Sequence, residues 1–453
     1  MNSPGCAMSR DRPVLAHSPA CLPRGQALGA LLRESLPPER LRALTAAGRV
    51  ARSLGVPVYL IGGSVRDLLL GRDSPDLDLC VVGDGMAFAR SLARALGARL
   101  AEQGRFLTAK LETADGAIDV ATARREAYAR PGALPQVTPG GIEDDLARRD
   151  FTVNAMAVRL GRGPRGVLDP FGGRNDLARR QLRVLHDRSL EDDPTRLLRA
   201  ARYAARLGFH LERRTARLAR AAARAGCLDT VSGDRIRREL LMLLQEPRAQ
   251  AGLRLCERLG VLAALHPALT AGPDVRGAVR RAQRIGDWFS RGCAGGSLDC
   301  GLVRLLALAE ALSPREGEEL AERLRLAARA RRAVDAYLRG RRSARRRLAA
   351  PRLRNSAVAR ALDGLPPETV AALAATSAAR VRRRCKLFLA RLREVRPSIS
   401  GHDLAALGFE PDAAWARALA AARDARLDGR ARSKQDELRI AAAVLRAAHR
   451  RSS

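Results

Sequence analysis

Asp76 and Asp78 stand two residues apart in the segment PDLDLCVV, where an apolar run begins. Alternate residues of a strand point to the same side, so a strand here puts both carboxylates on one face. Crowded carboxylates are costly unless a cation neutralises them, and an all-oxygen set suits Mg²⁺. Just upstream, Gly62 and Gly63 end a short apolar run and precede SVRDLLL. Two glycines let the backbone turn tightly, and their amides can cradle a phosphate where a helix opens. Arg66, on the first turn of that helix, carries a fork of donors that suits the same phosphate. Each feature alone is ordinary, an acidic strand cap or a tight turn. Together they fit metal-assisted phosphoryl transfer, with Asp76 and Asp78 as the metal ligands.

A second constellation is DDPTRLLRAAR at 192–202. Asp193 and Arg196 are three residues apart, a spacing that shares one face of a helix. A carboxylate only accepts hydrogen bonds and a guanidinium only donates them. Cytosine and adenine each offer an exocyclic amino donor beside a bare ring nitrogen, whereas guanine and uracil reverse that order. One Asp/Arg pair can therefore accept C and A and reject G and U with no nucleic-acid template. The competing reading is a surface ion pair of little consequence.

Several elements must position these groups. Pro37–Leu54 reads as a helix, Val56–Ile61 as a strand and Ser64–Leu70 as a helix opening directly after the glycines. Leu77–Val82 reads as a strand, Met86–Leu100 as a helix, and Phe106–Leu111 and Ala117–Ala121 as further strands. Such alternation indicates an α/β unit over the first third of the chain. Beyond about residue 175 the strand signals fade. Ala/Leu/Arg stretches at helical spacing follow, among them Thr195–Leu207, Arg213–Ala225, Asp234–Leu244 and Gln250–Leu259. Prolines such as Pro247, Pro314, Pro351 and Pro397 mark the joints.

The chain has 453 residues, enough for several packed units, and a formal charge of +34 from 82 basic and 48 acidic residues. Lysine occurs only at 110, 386 and 434. Arginine codon preference explains that ratio but not the excess, which self-repels unless a polyanion offsets it. Nucleic acid is the polyanion expected, with Arg329–Arg354 and Arg380–Lys386 as the densest basic stretches. The eight cysteines are scattered with no CxxC pair, which argues against zinc and against a disulfide framework. No apolar leader or spanning segment stands out, so a cytoplasmic protein with no membrane partner is expected.

GGSVRD followed by DLD resembles the signature of the class II tRNA nucleotidyltransferases and bacterial poly(A) polymerases. Further matches follow in order: RRDFTVNAMA at 148–157, DPFGG at 169–173, DDPTRLLRAARYAARLGF at 192–209 and SGDRIRREL at 232–240. The resemblance is specific from about residue 57 to 245 and looser beyond, where SGHDLAALGF at 400–409 is similar to a C-terminal segment of some members. It implies an α/β nucleotidyltransferase (polymerase-β-like) head at 37–175, a helical neck at 176–245 and an all-α RNA-binding body and tail at 246–453, after a disordered tail at 1–36. It also implies template-independent addition of CMP and AMP to the 3′ end of tRNA, with CTP, ATP and Mg²⁺. Addition of A alone, poly(A) synthesis, or a non-catalytic RNA-binding protein on the same scaffold are the alternatives.

By that resemblance Gly63 and Arg66 contact the triphosphate, alongside Gly62, and Asp76 and Asp78 hold the metals. Arg149 and Asp150 match the ribose-sensing motif, and Asp169–Gly173 matches a hinge. Asp193, Arg196, Arg199 and Arg202 match the nucleotide-recognition helix, although the family's Glu-Asp is Asp192-Asp193 here. Asp119, in AIDVATAR, is a third catalytic carboxylate or a structural acid paired with Arg124. Residues 124–137, REAYARPGALPQV, resemble the flexible loop of members that add the terminal A. His402-Asp403 spells a phosphohydrolase dyad but lacks its partners and reads as a helix start. Trp288 and Trp415 read as core anchors.

Overall fold

Leu77, Leu79 and Val81 alternate along one strand with Asp76, Asp78 and Cys80, and the first three are buried. That alternation fixes which face of the sheet meets the core. In the computed structural model, which describes residues 32–33, 36–72, 76–104, 108–161, 166–292 and 297–450, the chain divides into two units, Met1–Val231 and Ser232–Ser453.

The first unit is built on strands β1 (Val58–Ile61), β2 (Asp76–Val81), β3 (Arg99–Gly104), β4 (Thr108–Thr113), β5 (Gly116–Thr122), β6 (Arg124–Ala127), β7 (Gln136–Pro139), β8 (Ala157–Leu160) and β9 (Val167–Leu168). Seven of them form one sheet in the order β3-β4-β5-β2-β1-β8-β9, and β6 and β7 form a separate hairpin. β2 and β5 run parallel, and the other pairs in both sheets are antiparallel. Helices α1 (Pro38–Leu54), α2 (Gly62–Leu69), α3 (Gly85–Leu96), α4 (Ile142–Ala147), α5 (Gly173–Ala178), α6 (Ser189–Asp192), α7 (Arg196–Leu207) and α8 (Arg213–Arg224) complete the unit. Leu44, Ala47 and Val50 of α1 and Phe88 and Leu92 of α3 join Leu60, Leu79, Leu111 and Val120 of the sheet in one core. Burying Phe88 completely contributes about 2–3 kcal/mol.

Three boundaries differ from expectation for local reasons. α2 opens at Gly62 itself, two residues early. The helix expected to reach Leu100 stops at Leu96 because Gly97 takes a left-handed conformation, φ 62°, and 99–104 continue as a strand. The strand expected from Phe106 runs from Thr108 to Thr113, while Phe106 lies outside the described residues. Leu36 is buried in the head core with Leu32 packed against it, so the head draws in residues before Pro37. The rest of the expected N-terminal tail lies outside the described residues.

The second unit begins at Ser232, inside the expected neck of 176–245. Its described residues hold only helices: α9 (Gly233–Gln245), α10 (Ala249–Leu259), α11 (Val261–Leu265), α12 (Pro273–Gly292), α13 (Cys300–Leu308), α14 (Pro314–Arg323), α15 (Ala328–Ala349), α16 (Asn355–Leu362), α17 (Pro367–Thr376), α18 (Ala379–Ala390), α19 (Gly401–Ala405), α20 (Ala414–Leu427) and α21 (Lys434–His449), with short 3₁₀ turns. SGDRIRREL opens α9. A side chain at Gly233 would meet the Arg323 carbonyl at 2.2 Å, so glycine is what lets α9 lie against the end of α14. Ser400 and Asp403 form a capping box at the start of α19, the helix start expected of His402-Asp403. Trp415 packs on Gly401 in a small C-terminal core around Leu404, Ala418 and Leu445, and Trp288 stacks edge-on with Phe289 under Lys386. No helix among the described residues is long and apolar enough to cross a membrane.

Candidate active site

The parallel pairing of β2 with β5 sets Asp78 beside Asp119 in register. Leu77, Leu79, Ile118 and Val120 enter the core, so Asp76, Asp78 and Asp119 share the opposite face. This places Asp119 beside the carboxylate pair. Burial pushes the Asp78 carboxyl up to about 6; Arg149 and Arg66 pull against that, and Asp119 and Asp76 add to it. A site that strains to hold its negative charge is one a divalent cation relieves. Among the described residues no group of three or more His, Cys, Asp or Glu side chains forms a ready cage for a metal. Two carboxylates suit Mg²⁺, which keeps several waters and takes further oxygens from a substrate phosphate. Ser64, not singled out from sequence, fastens the site: its Oγ accepts from the Asp78 amide at 3.0 Å and donates to the Asp76 carbonyl at 3.1 Å. It ties the glycine turn to the aspartate strand.

At the turn, Gly62 has φ 65°, and a Cβ there would lie 2.5 Å from Arg149 Nη1. Glycine is favoured by the left-handed backbone, and any side chain would also push that guanidinium aside. Arg149 thus closes over the phosphate-type turn, held by Asp145 at 2.9 Å, while its buried Nε has no hydrogen-bond partner. Arg66, expected at the triphosphate, is engaged within the fold. It is 2% exposed and turned back, with Nε and Nη2 donating to Asp67 at 2.9 and 2.8 Å and Nη1 to Asn154 Oδ1 at 2.6 Å. The neighbouring carboxylate of its own VRD triplet captures the fork. Gly63 lies beside it, its Cα facing the Arg66 guanidinium.

Asp150, expected to sense the ribose, is engaged by its own fold. Its carboxylate is 6% exposed and accepts from the Phe151 amide, from Asn154 Nδ2 at 2.9 Å and from Arg199 Nε at 2.9 Å. Burial works to raise its pKa, but Arg199 and Asn154 overcome this and leave it at about 2. These contacts bind α7 to the 148–157 motif. Tyr203 of α7, also missed, is the hub of the same joint: the Arg66, Arg199 and Arg202 guanidinium carbons lie 5.4, 5.6 and 4.8 Å from its ring centre.

Asp193 and Arg196 do not share a helix face. Asp193 precedes Pro194, is extended with φ −132° and ψ 90°, and caps the turn between α6 and α7 by accepting from Thr195 N and Oγ1. Proline disfavours the helical conformation in the residue before it, which is the local cause. Arg196 is 4% exposed and donates to Ser189 Oγ and to the Arg148 carbonyl at 2.6 Å. Asp169, at the expected hinge, caps α5 through the Gly173 and Arg174 amides.

The expected flexible loop is the β6–β7 hairpin. At its base Glu126 accepts from Arg124 at 2.9 Å and from Arg148 at 2.9 Å, and its side chain is 5% exposed. Its tip meets residues of the same unit: Gly132 N–H donates to the Asp192 carbonyl at 3.2 Å. Between hairpin and α7 lies a cleft of about 430 Å³ whose walls include Arg125, Tyr128, Arg148, Asp192 and Arg196.

A mixed sheet that sets carboxylates beside a glycine turn, backed by an arginine-bearing helix, defines a nucleotidyltransferase head. The Poly A polymerase head domain family matches residues 58–183, and a family described as the probable RNA and SrmB-binding site of polymerase A matches 208–272. The chain is 36% identical to an A-adding tRNA nucleotidyltransferase of Geobacter sulfurreducens over 91% of its own length, and spans about half, 48%, of that relative. It is 33% identical to an A-adding tRNA nucleotidyltransferase of Halalkalibacterium halodurans, over 91% of this chain and 94% of the relative. An apo CCA-adding enzyme structure matches with TM-score 0.81 and 30% identity, over 92% of this chain and 99% of that one. The chain belongs to the tRNA nucleotidyltransferase and poly(A) polymerase family.

Proposed function

We propose that this protein transfers nucleotides from NTPs to the 3′ end of tRNA without a nucleic-acid template, adding AMP and, in a second reading, CMP as well. The observation that carries it is the register of Asp78 with Asp119 beside the Gly62 turn, where Arg149 closes over the backbone. In the reaction the RNA 3′ oxygen bonds to the α-phosphorus as the bond to the pyrophosphate leaving group breaks. Asp76 and Asp78 would hold Mg²⁺, which when bound would neutralise charge developing on the phosphates. Arg149 faces the same site and supplies positive charge from the protein. Asp150, Arg199 and Tyr203 position α7 against the head, and Arg196 lines the cleft read here as the nucleotide site. The second unit would hold the tRNA largely through phosphate contacts from its arginines.

Relatives named as A-adding match over nine-tenths of this chain and favour AMP addition. The structural likeness to a CCA-adding enzyme favours the wider activity. Purified protein is given tRNA ending before CCA, after C or after CC, with each NTP supplied separately. Incorporation of ATP onto the CC end is expected in both readings, and of CTP onto the shorter ends only in the second. Incorporation of no nucleotide on any of the three ends overturns both.

A further inference from the structure

Aromatic residues make up only 3% of this chain, with four tyrosines in all. Tyr128, directly after β6, lines the 430 Å³ cleft in company with Arg125, Arg148, Asp192 and Arg196. Its hydroxyl donates to Glu126 Oε2 at 3.0 Å, and Glu126 is fixed in turn by Arg124 and Arg148. Burial and the Glu126 charge raise the phenol's pKa well above its ordinary value, so it stays a donor. Arg196 and Asp193 are among the charges that act on the ring. The ring is therefore anchored at its polar end, inside a cleft whose other walls are charged apart from Ala147 and His186.

We infer that Tyr128 is a nucleotide-binding residue that stacks on the base of the incoming nucleotide. The inference rests on the reading of this cleft as the nucleotide site. Phosphates and carboxylates need cations alone, and a phenol ring among them adds nothing to their binding. A heteroaromatic base needs both kinds of wall: its edge takes hydrogen bonds from charged groups and its face takes an aromatic ring. The Glu126 tether holds the ring in advance, which lowers the ordering cost of stacking. Since every base has a π-face, the ring strengthens the hold on the base while the charged walls choose among bases.

The full-length protein is prepared with 3-fluorotyrosine, and the Tyr128 ¹⁹F resonance is assigned as the one missing in Tyr128→Phe. ATP and ribose 5-triphosphate are then titrated with magnesium, and their affinities are measured for wild type, Tyr128→Leu and Tyr128→Phe. Expected is a shift of the Tyr128 resonance with ATP and not with the baseless triphosphate. Tyr128→Leu is expected to weaken ATP about tenfold, the effect of losing one base–aromatic stack, and to leave ribose 5-triphosphate unchanged. Tyr128→Phe keeps the ring and is expected to bind ATP within about threefold of wild type. A Tyr128 resonance that ignores ATP overturns the cleft reading and the inference with it. A resonance that responds while Tyr128→Leu binds ATP normally, or weakens both ligands alike, leaves the cleft reading standing and overturns the stacking role.

Discussion

Around the carboxylates of the first unit, arginines end on side-chain acids: Arg66 on Asp67, Arg149 on Asp145, Arg199 on Asp150. In the second unit several buried or half-buried arginines end instead on backbone carbonyls. Arg304 donates to the Leu244 carbonyl at 2.6 Å, Arg341 to Leu312 at 2.7 Å, Arg281 to Ala375 at 2.6 Å, and Arg384 to Leu348 and Ala350 at 2.6 Å each. Many of these carbonyls lie at the last turns of helices, where the macrodipole is negative and the carbonyls lack intrahelical partners. A carboxylate cancels the charge it binds and a carbonyl does not. The first unit thus spends acids to fix arginines in place around its chemistry. In the second unit some arginines serve as mortar between helices, while others, such as Arg345 on Glu310 and Arg423 on Asp363, end on acids as in the first.

The largest effect belongs to Asp78, a carboxylate whose charge the fold does not want. If Asp78 holds the metal as proposed, Asp78→Asn should lower single-turnover nucleotide addition by at least about 10²–10³-fold. It should also stabilise the metal-free protein. A folded pKa of about 6, raised from 3.8, means that stability is complete below 3.8 and falls as pH rises through 6. At neutral pH the ionised group costs about 3 kcal/mol, which the amide removes. Melting in chelator at pH 7.5 checks the gain. A variant that turns over within tenfold of wild type would move the metal site elsewhere.

Asp150 should behave in the opposite sense. Its folded pKa of about 2 lies below 3.8, so its stabilisation is present above 3.8 and is lost as pH falls through 2. The shift corresponds to about 2 kcal/mol. Asp150→Asn should be destabilised by roughly that amount at pH 7, where Arg199 loses its partner charge, and the gap from wild type should close as pH approaches 2. Urea unfolding at pH 7, 4 and 2.5 measures it, and a gap independent of pH would show that Asp150 acts by packing alone.

The two aspartates differ in how far sequence could take them. The strand period of two places Asp76 and Asp78 on one face from sequence, and β2 carries them so. Asp119 needs the β2–β5 register, which is a long-range pairing that no local pattern encodes. Asp150 is the reverse case: its motif was legible, but its saturation by Arg199, forty-nine residues on, depends on where α7 docks. Asp193 was misplaced although its signal was present, since Pro194 follows it and excludes a shared helix face. Glu126, Ser64, Asn154 and Tyr203 matter through partners distant in the chain, and their residue types are too common to stand out. The helices of the second unit were legible from apolar spacing, whereas which arginines end on carbonyls follows from packing and has no trace in composition.

Arg384 separates the two uses of arginine with the smallest effect. One of its nitrogens serves the Leu348 and Ala350 carbonyls, and the other reaches the Pro351 carbonyl at 3.3 Å. The fork clamps the end of α15 to α18. Lysine keeps the charge but presents a single ammonium that cannot span the same three oxygens with that geometry. Arg384→Lys should therefore cost about 1 kcal/mol, a loss of about 2–4 °C in melting temperature for a unit of this size. Affinity for tRNA should keep its dependence on salt, because that slope counts cations and not their shape. Arg384→Gln loses the clamp and the cation together, so it should match the melting loss and also flatten the salt dependence if Arg384 neutralises a phosphate. Binding at 50 to 200 mM salt, beside melting curves for both variants, tests the split. If the lysine variant flattens the slope as much as glutamine does, the arginine meets RNA through its planar fork, and in the second unit structure and charge are not separable.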